Sequence, residues 1–185
     1  MNDYATHQPV LREMLNRTTG SILELGSGDY STPLIHELTE GRKVLTVDDS
    51  LEWLNKYIGL QTENHKFICV EDRRFQEFYD NDDEQWNVVF IDNGAWSARV
   101  KAIIKYKDVA DYIILHDCDY MAGHGLLGIT GSGSHRNYSS VFRYWNEYLI
   151  KNSTPWNPPT LLASNKMSVR DIIIEGMVII NVSKS

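Results

Sequence analysis

Ser21-Ile22-Leu23-Glu24-Leu25-Gly26-Ser27-Gly28 is the stretch that decides the fold: it reads as a short apolar strand that ends in a glycine turn and opens onto a helix. Such a turn holds a nucleotide cofactor, because a side chain at either glycine would keep the backbone from passing close to a ligand. The helix start is legible as well. Ser31 or Thr32 can cap it, Pro33 suits its first position because the missing N–H would be an orphan there, and Gly41 can close it. A second acid supports the reading. Asp48, 22 positions after Gly26, closes the next apolar run, Val44-Leu45-Thr46-Val47, about where a nucleotide-binding fold meets ribose hydroxyls.

Outward from that stretch, short apolar runs alternate with helical patterns. Strands are predicted at Ser21 to Leu25, Lys43 to Asp48, Lys66 to Val70, Trp86 to Asp92 and Asp111 to His116. Helical segments lie at Pro9 to Asn16, Pro33 to Glu40, Leu51 to Gly59, Arg73 to Tyr79 and Ser97 to Tyr106. Runs such as Val88-Val89-Phe90-Ile91 and Tyr112-Ile113-Ile114-Leu115 are apolar on both faces, as a parallel sheet covered by helices requires. The expectation is an α/β fold: a three-layer α/β/α sandwich around a Rossmann-like, mostly parallel sheet with an antiparallel last strand. In such sheets ligands collect at the carboxyl ends of the strands.

After Tyr120 the pattern breaks. Gly123, Gly125, Gly128, Gly131 and Gly133 make a loop of the segment up to Ser134. A helix is predicted from Tyr138 to Ile150, then a turn at Thr154-Pro155-Trp156-Asn157-Pro158-Pro159, then strands near Thr160 to Ala163 and Met177 to Val182. The chain reads as one domain: an N-terminal helix and cap over 1–19, a cofactor-binding core over 20–120, a substrate loop and helix over 121–159, and final strands over 160–185.

With 185 residues and 42% apolar content the chain can bury one good core and not two. A net charge of −7 leaves no basic field to gather phosphates, which argues against double-stranded nucleic acid as a partner. Cys69 and Cys118 stand far apart, in neither a disulfide framework nor a metal spacing. Met1 to Val10 lack an apolar leader, and no apolar run approaches the roughly 18 residues of a membrane span. A cytoplasmic protein without a membrane partner is expected, and a homo-oligomer is compatible with it.

These residues together resemble the class I S-adenosylmethionine-dependent methyltransferases, whose first motif is an acid followed by Gly-x-Gly at the end of the first strand; Glu24, Gly26 and Gly28 match it. Within that group Gly-Ser-Gly-x-x-Ser-Thr, Val47-Asp48 with Trp53, Trp-Asn-Val-Val-Phe-Ile-Asp-Asn-Gly with Arg99 five positions later, and Leu115-His116-Asp117 are similar to one branch. That branch holds small O-methyltransferases and glucuronoxylan methyltransferase-like proteins. The resemblance covers about residues 20 to 118. Two positions depart from it: Asp48 stands where some relatives carry Glu, and Asn93 where they often carry Gly.

The resemblance implies S-adenosyl-L-methionine as cofactor. Gly26, Ser27 and Gly28 would let the backbone approach its methionine part, Glu24 would lie near its charged end, and Asp48 would accept from the two ribose hydroxyls, with Asp49 and Asp92 also among the cofactor-binding residues. Asp72 could reach the adenine. The bland alternatives are an ion pair for Glu24 and a solvated turn acid for Asp48. The chemistry falls on the ends of the fourth and fifth strands, at Asp92 and the His116-Asp117-x-Asp119 cluster. Either His116 or Asp117 is a general base for an acceptor hydroxyl, or Asp92, Asp117 and Asp119 hold a hard divalent cation such as Mg²⁺ that acidifies it. Otherwise Asp119 forms a turn and His116 is a hydrogen-bonded neutral histidine.

Arg99 either fixes a substrate carboxylate or pairs with a nearby acid. The N-terminal Tyr4, Thr6 and His7 precede the first helix, where related enzymes fold the N-terminus over the cofactor; Thr6 is otherwise a helix cap. His124, His135, Arg136 and Tyr138 flank the glycine loop and could form a lid over a small-molecule or sugar substrate, or a plain surface loop. Trp156 is a candidate sugar platform, while Tyr144, Trp145 and Tyr148 suit a core. Two other readings compete. A nicotinamide-dependent oxidoreductase shares the opening turn, but Ser31 replaces the third glycine and no Tyr-x-x-x-Lys pair lies near the fifth strand. A cofactor-binding module without catalysis is the other.

Overall fold

The computed structural model describes residues 5–70, 75–94, 96–118, 141–151 and 157–183. One eight-stranded sheet runs through the chain, built from β1 (Ile22–Leu25), β2 (Val44–Asp48), β3 (His65–Cys69), β4 (Val88–Ile91), β5 (Tyr112–Leu115), β6 (Tyr144–Ile150), β7 (Thr160–Ser164) and β8 (Met177–Val182). Their order is β3-β2-β1-β4-β5-β7-β6-β8. The first five are parallel, and the pairings β5 with β7, β7 with β6 and β6 with β8 are antiparallel. The helices are α1 (Gln8–Arg17), α2 (Thr32–Leu38), α3 (Leu51–Tyr57), α4 (Phe75–Asn81) and α5 (Trp96–Tyr106). No helix among the described residues is long and apolar enough to cross a membrane.

Both faces of the central strands are covered, which explains their unbroken apolar runs. Leu23, Leu25, Val89, Ile91, Ile113 and Leu115 pack with Phe75 and Tyr79 of α4 and with Val100, Ile103 and Tyr106 of α5. On the other face Ile22, Val88, Phe90 and Ile114 meet Val10, Leu11 and Met14 of α1 and Leu34 and Ile35 of α2. The result is the expected α/β/α sandwich. Cys69 and Cys118 are not joined in a disulfide.

One element differs from expectation. Residues 144–150 form not a helix but a strand in the sheet, paired on both sides. Its aromatic residues alternate: Trp145 belongs to the α4/α5 side of the core, Tyr148 to the α1/α2 side. A run of Tyr, Trp, Tyr and Ile suits a strand buried on two faces. Asn146, fully buried there, donates to the Val169 carbonyl at 2.6 Å and to the Tyr148 hydroxyl at 3.0 Å. The antiparallel portion is thus wider than a single last strand.

Candidate functional site at the strand ends

Because Leu25 is level with Val47 and Ile91, and Ile91 with Leu115, the next residues out, Gly26, Asp48, Asp92 and His116, form one row at the carboxyl ends. The row straddles β1 and β4, where the strand order reverses; ligands of open α/β sheets bind at such a switch. Gly26 sits there at φ +91°, and a Cβ on it would lie 2.6 Å from the Asp92 carbonyl carbon and oxygen and 2.7 Å from the Asn93 Cα. This glycine is therefore demanded by the neighbouring backbone, not by a ligand. Gly28 is the open one, its nearest neighbour being the Ser31 hydroxyl at 3.3 Å.

Glu24 lies beneath the turn, wholly buried. Thr32 and Thr46 donate to its two oxygens at 3.0 and 2.7 Å, and the Gly28 N–H donates to the Thr32 hydroxyl at 3.0 Å. Burial raises its carboxyl to about 7, against the hydrogen bonds of Ser31, Thr46 and Thr32. Among the described residues it pairs with no cation, so it anchors the turn from below through Thr32. Ser31 occupies the helix cap position without a capping side-chain bond. Asp48 braces the same turn from the side: it accepts from the Ser27 N–H (2.6 Å), the Ser27 hydroxyl (2.8 Å) and the Ser50 N–H (2.8 Å). Asp49 follows, half-buried.

At the ends of β4 and β5, Asp92 and His116 pair at 3.2 Å through Oδ2 and Nδ1. His116 Nε2 faces the Thr6 hydroxyl at 3.0 Å and Asp117 Oδ1 at 3.2 Å. Thr6 thus reaches across to the fifth strand and leaves the cap position of α1 to His7, which makes no capping bond either. Asp117 adopts φ +52°, a left-handed conformation that Asp tolerates better than most residues. Arg99, 5% exposed, ties these ends together. It donates to the Asn93, His116 and Asp92 carbonyls and lies 2.9 Å from Asp92 Oδ1 and 3.8 Å from Asp117 Oδ2. Of its two readings, pairing with nearby acids is the one seen. Burial pushes the Asp92 carboxyl up, but His116 and Arg99 outweigh it and hold it below the usual range. Asn93 bonds the Tyr79 hydroxyl at 3.2 Å, giving the residue that departs from the relatives a packing role.

His7 is 2% exposed, packed 4.5 Å from the His116 ring and 4.9 Å from Phe90, and neither of its nitrogens has a hydrogen-bond partner. Burial, with His116 adding to it, lowers its imidazole to about 3, against Asp92 and the nearby Tyr30 backbone. Ligand atoms of His7, Asp92 and His116 converge to within 4.8 Å of one another, the one such group among the described residues. The acid trio expected to hold a cation is not reproduced: Asp117 is turned to His116 Nε2 and Arg99, and Asp119 lies outside the described residues.

A cleft of about 520 Å³ is lined by His7, Ser27, Gly28, Asp29, Tyr30, Ser31, Trp53, Asp92, His116 and Asp117. The sequence-predicted Ser27, Gly28, Asp92, His116 and Asp117 are thereby brought together, while Glu24 and Asp48 support the turn from behind it. Asp29, Tyr30 and the wall formed by Trp53 were not anticipated as site residues. Trp53 lies in the first turn of α3, directly after the acid of β2, with Lys56 Nζ 3.3 Å from its ring centre. Asp29 accepts from the Tyr57 hydroxyl at 2.6 Å. Tyr4, Asp72, Asp119, His124, His135, Arg136, Tyr138 and Trp156 lie outside the described residues, as does the glycine loop.

No protein-family model matches the chain, and no curated protein matches it in sequence. Solved structures do. An rRNA methylase from Streptococcus thermophilus superposes with a TM-score of 0.56 at 16% identity, covering 85% of this chain and 95% of that one. The O-methyltransferase TomG from Streptomyces achromogenes, involved in tomaymycin synthesis and solved with S-adenosylmethionine, gives 0.61 at 11% identity over 87% and 80%. Spermidine synthase from Thermotoga maritima gives 0.57 at 12% identity over 88% and 58%. At such identities the likeness speaks for architecture, and one of the three is not a methyltransferase by its description. In architecture, the chain has the fold of the class I S-adenosylmethionine-dependent methyltransferases.

Proposed function

We propose that the protein is an S-adenosylmethionine-dependent methyltransferase acting on a hydroxyl oxygen of a small molecule or sugar. The observation that carries this reading is that one cleft is lined both by the glycine turn and by the Asp92, His116 and Asp117 group. Its size falls within the range of ligand pockets, roughly 300–1,000 Å³. The residues present fit the cofactor: Gly28 offers open backbone and Trp53 an aromatic wall, while Asp48 braces the turn from behind the cleft. Asp48 spends three acceptor sites on Ser27 and Ser50, and a carboxylate has about four.

S-adenosylmethionine supplies a methyl group on a positively charged sulfur, open to direct displacement. The chain must then place an acceptor oxygen in line, exclude water and take a proton from it; positioning accounts for most of the rate. The strand-end cluster is where that proton leaves. With Asp92 accepting from Nδ1–H, His116 Nε2 becomes the acceptor, and the Thr6 hydroxyl, 3.0 Å from it, occupies the place of an acceptor hydroxyl. Arg99 keeps both carbonyl ends of the cluster in register.

Calorimetry with S-adenosylmethionine and, separately, with NAD tests the cofactor. Micromolar binding of the sulfonium and none of NAD is expected; the reverse would overturn the reading in favour of an oxidoreductase. An acceptor screen split between sugars, catechol-like phenols and amines then tests the oxygen preference, and exclusive turnover of amines would overturn that part alone.

A further inference from the structure

The geometry points to a site for one borderline divalent transition ion, of the Zn²⁺ class rather than Mg²⁺, formed by His7, Asp92 and His116. It rests on side-chain geometry and would replace the base role that the methyl-transfer reading gives His116. Two imidazoles and one carboxylate are a donor set for Zn²⁺, Fe²⁺ or Co²⁺, whereas Mg²⁺ takes oxygen ligands. His116 Nδ1 and Asp92 Oδ2 stand 3.2 Å apart. That is the spacing of adjacent ligands on an ion with bonds of about 2.0–2.2 Å. His7 supplies the second, independent observation: it is buried against the cluster, and neither nitrogen makes a hydrogen bond of good geometry, the Tyr30 backbone nearby favouring only its charged form. A buried imidazole without a partner is costly unless something binds it.

The surroundings complete the site. Metal-bound histidines commonly donate their other N–H to a carboxylate or another acceptor, which fixes the ring. His116 Nε2 faces both the Asp117 carboxylate and the Thr6 hydroxyl. Asp92 keeps its second oxygen, Oδ1, on Arg99 at 2.9 Å. With Nδ1 on the ion, His116 would turn its Nε2–H to Asp117. Three protein ligands leave positions open toward the cleft that all three residues line, as at catalytic rather than structural sites. His116 then serves as a ligand, and acidification of a bound hydroxyl passes from the base to the ion.

The test uses the full chain, stripped with a chelator and titrated with Zn²⁺ and Mg²⁺ by calorimetry and with Co²⁺ by visible absorption. One Zn²⁺ or Co²⁺ per chain is expected, with Mg²⁺ weaker by about 100-fold or more. Supporting residues of metal sites are worth about 10–100-fold in affinity, so Asp117→Asn should lose about 10-fold and His7→Gln about 100-fold or more. His7→Cys keeps a ligand and should retain the ion with a new cobalt–thiolate band, which guards against a variant that merely misfolds. His36→Gln is the control, because His36 and His65 approach to 3.1 Å elsewhere. Absence of stoichiometric binding, equal affinity for Mg²⁺, wild-type affinity in His7→Gln, or loss of the ion in His36→Gln would each overturn the assignment. If S-adenosylmethionine binds and the ion does not, only this site falls; if the ion binds and the cofactor does not, only the proposed activity falls.

Discussion

Replacing Gly26 and Gly28 by alanine should separate what holds the fold from what holds the ligand. At Gly26 the added methyl faces two penalties. A left-handed backbone costs a residue with a Cβ about 1–2 kcal/mol, and φ is +91° here. The methyl would also stand 2.6 Å from the Asp92 carbonyl, main chain that cannot rotate away, so the end of β4 has to shift. Overpacking of that kind costs about 1–3 kcal/mol. Together they amount to about 2–5 kcal/mol against a whole stability of about 5–15. In a chain of this size each kcal/mol lowers Tm by about 2–4 °C. Gly26→Ala should therefore melt about 4–20 °C early. Gly28 lies outside the left-handed region, and its added methyl would meet only the Ser31 hydroxyl at 3.3 Å, a contact a rotamer change relieves. Gly28→Ala should keep Tm within about 2 °C, or roughly 0.5–1 kcal/mol, yet weaken S-adenosylmethionine binding in calorimetry because the cleft is narrowed at the turn. Equal melting of the two variants, or unchanged cofactor affinity in Gly28→Ala, would refute the division of roles.

Glu24→Gln tests the buried acid. In the native state Glu24 keeps its proton up to about pH 7, while its unperturbed value is 4.5. The folded form holds the extra proton across that window, so the stability Glu24 contributes falls as pH rises through it, by up to about 3 kcal/mol. The variant cannot ionise, and its stability relative to the parent should climb with pH from about 4.5 to 7 in urea unfolding; a flat difference would contradict a buried, protonated Glu24. His7 and His65, lowered by burial to about 3 and 4, lose stability in the opposite direction as pH drops below 6.5, and they cancel in the difference. Arg99→Ala leaves half-buried Asp92 with His116 alone and frees three carbonyls, and should cost about 1–3 kcal/mol by chemical denaturation, whereas a value near zero would deny the clamp. Asp117→Asn keeps a residue that tolerates φ +52° and should abolish turnover while leaving Tm and cofactor affinity near those of the parent; surviving turnover would remove Asp117 from the chemistry.

The first five strands and the helices between them were legible because strong local signals agreed with the global arrangement. Val88-Val89-Phe90-Ile91 cannot bury both faces anywhere but inside a covered parallel sheet, and observed bounds fall within about two residues of the expected ones. Residues 144–150 were misread because an aromatic run with polar residues between its members fits a helical face as well as a two-sided strand; only the pairing with β7 and β8 decides. The site shows the same division. Asp48, Asp92 and His116 close apolar runs, and parallel register then puts them in one row without further information. What each group touches is not local. Gly26 was read as making room for a ligand, whereas the backbone of Asp92 and Asn93, some 66 residues on, is what requires it. Thr6 looked like a helix cap until its hydroxyl met His116 across 110 residues. His7 shows it most sharply: nothing beside it in sequence marks it as a partner for Asp92 and His116, and only the packing of α1 against Phe90 brings it there. In this architecture the strand ends are written into the chain and their occupants into the layer laid over them, so the chemistry must be sought where the N-terminal segment crosses the row.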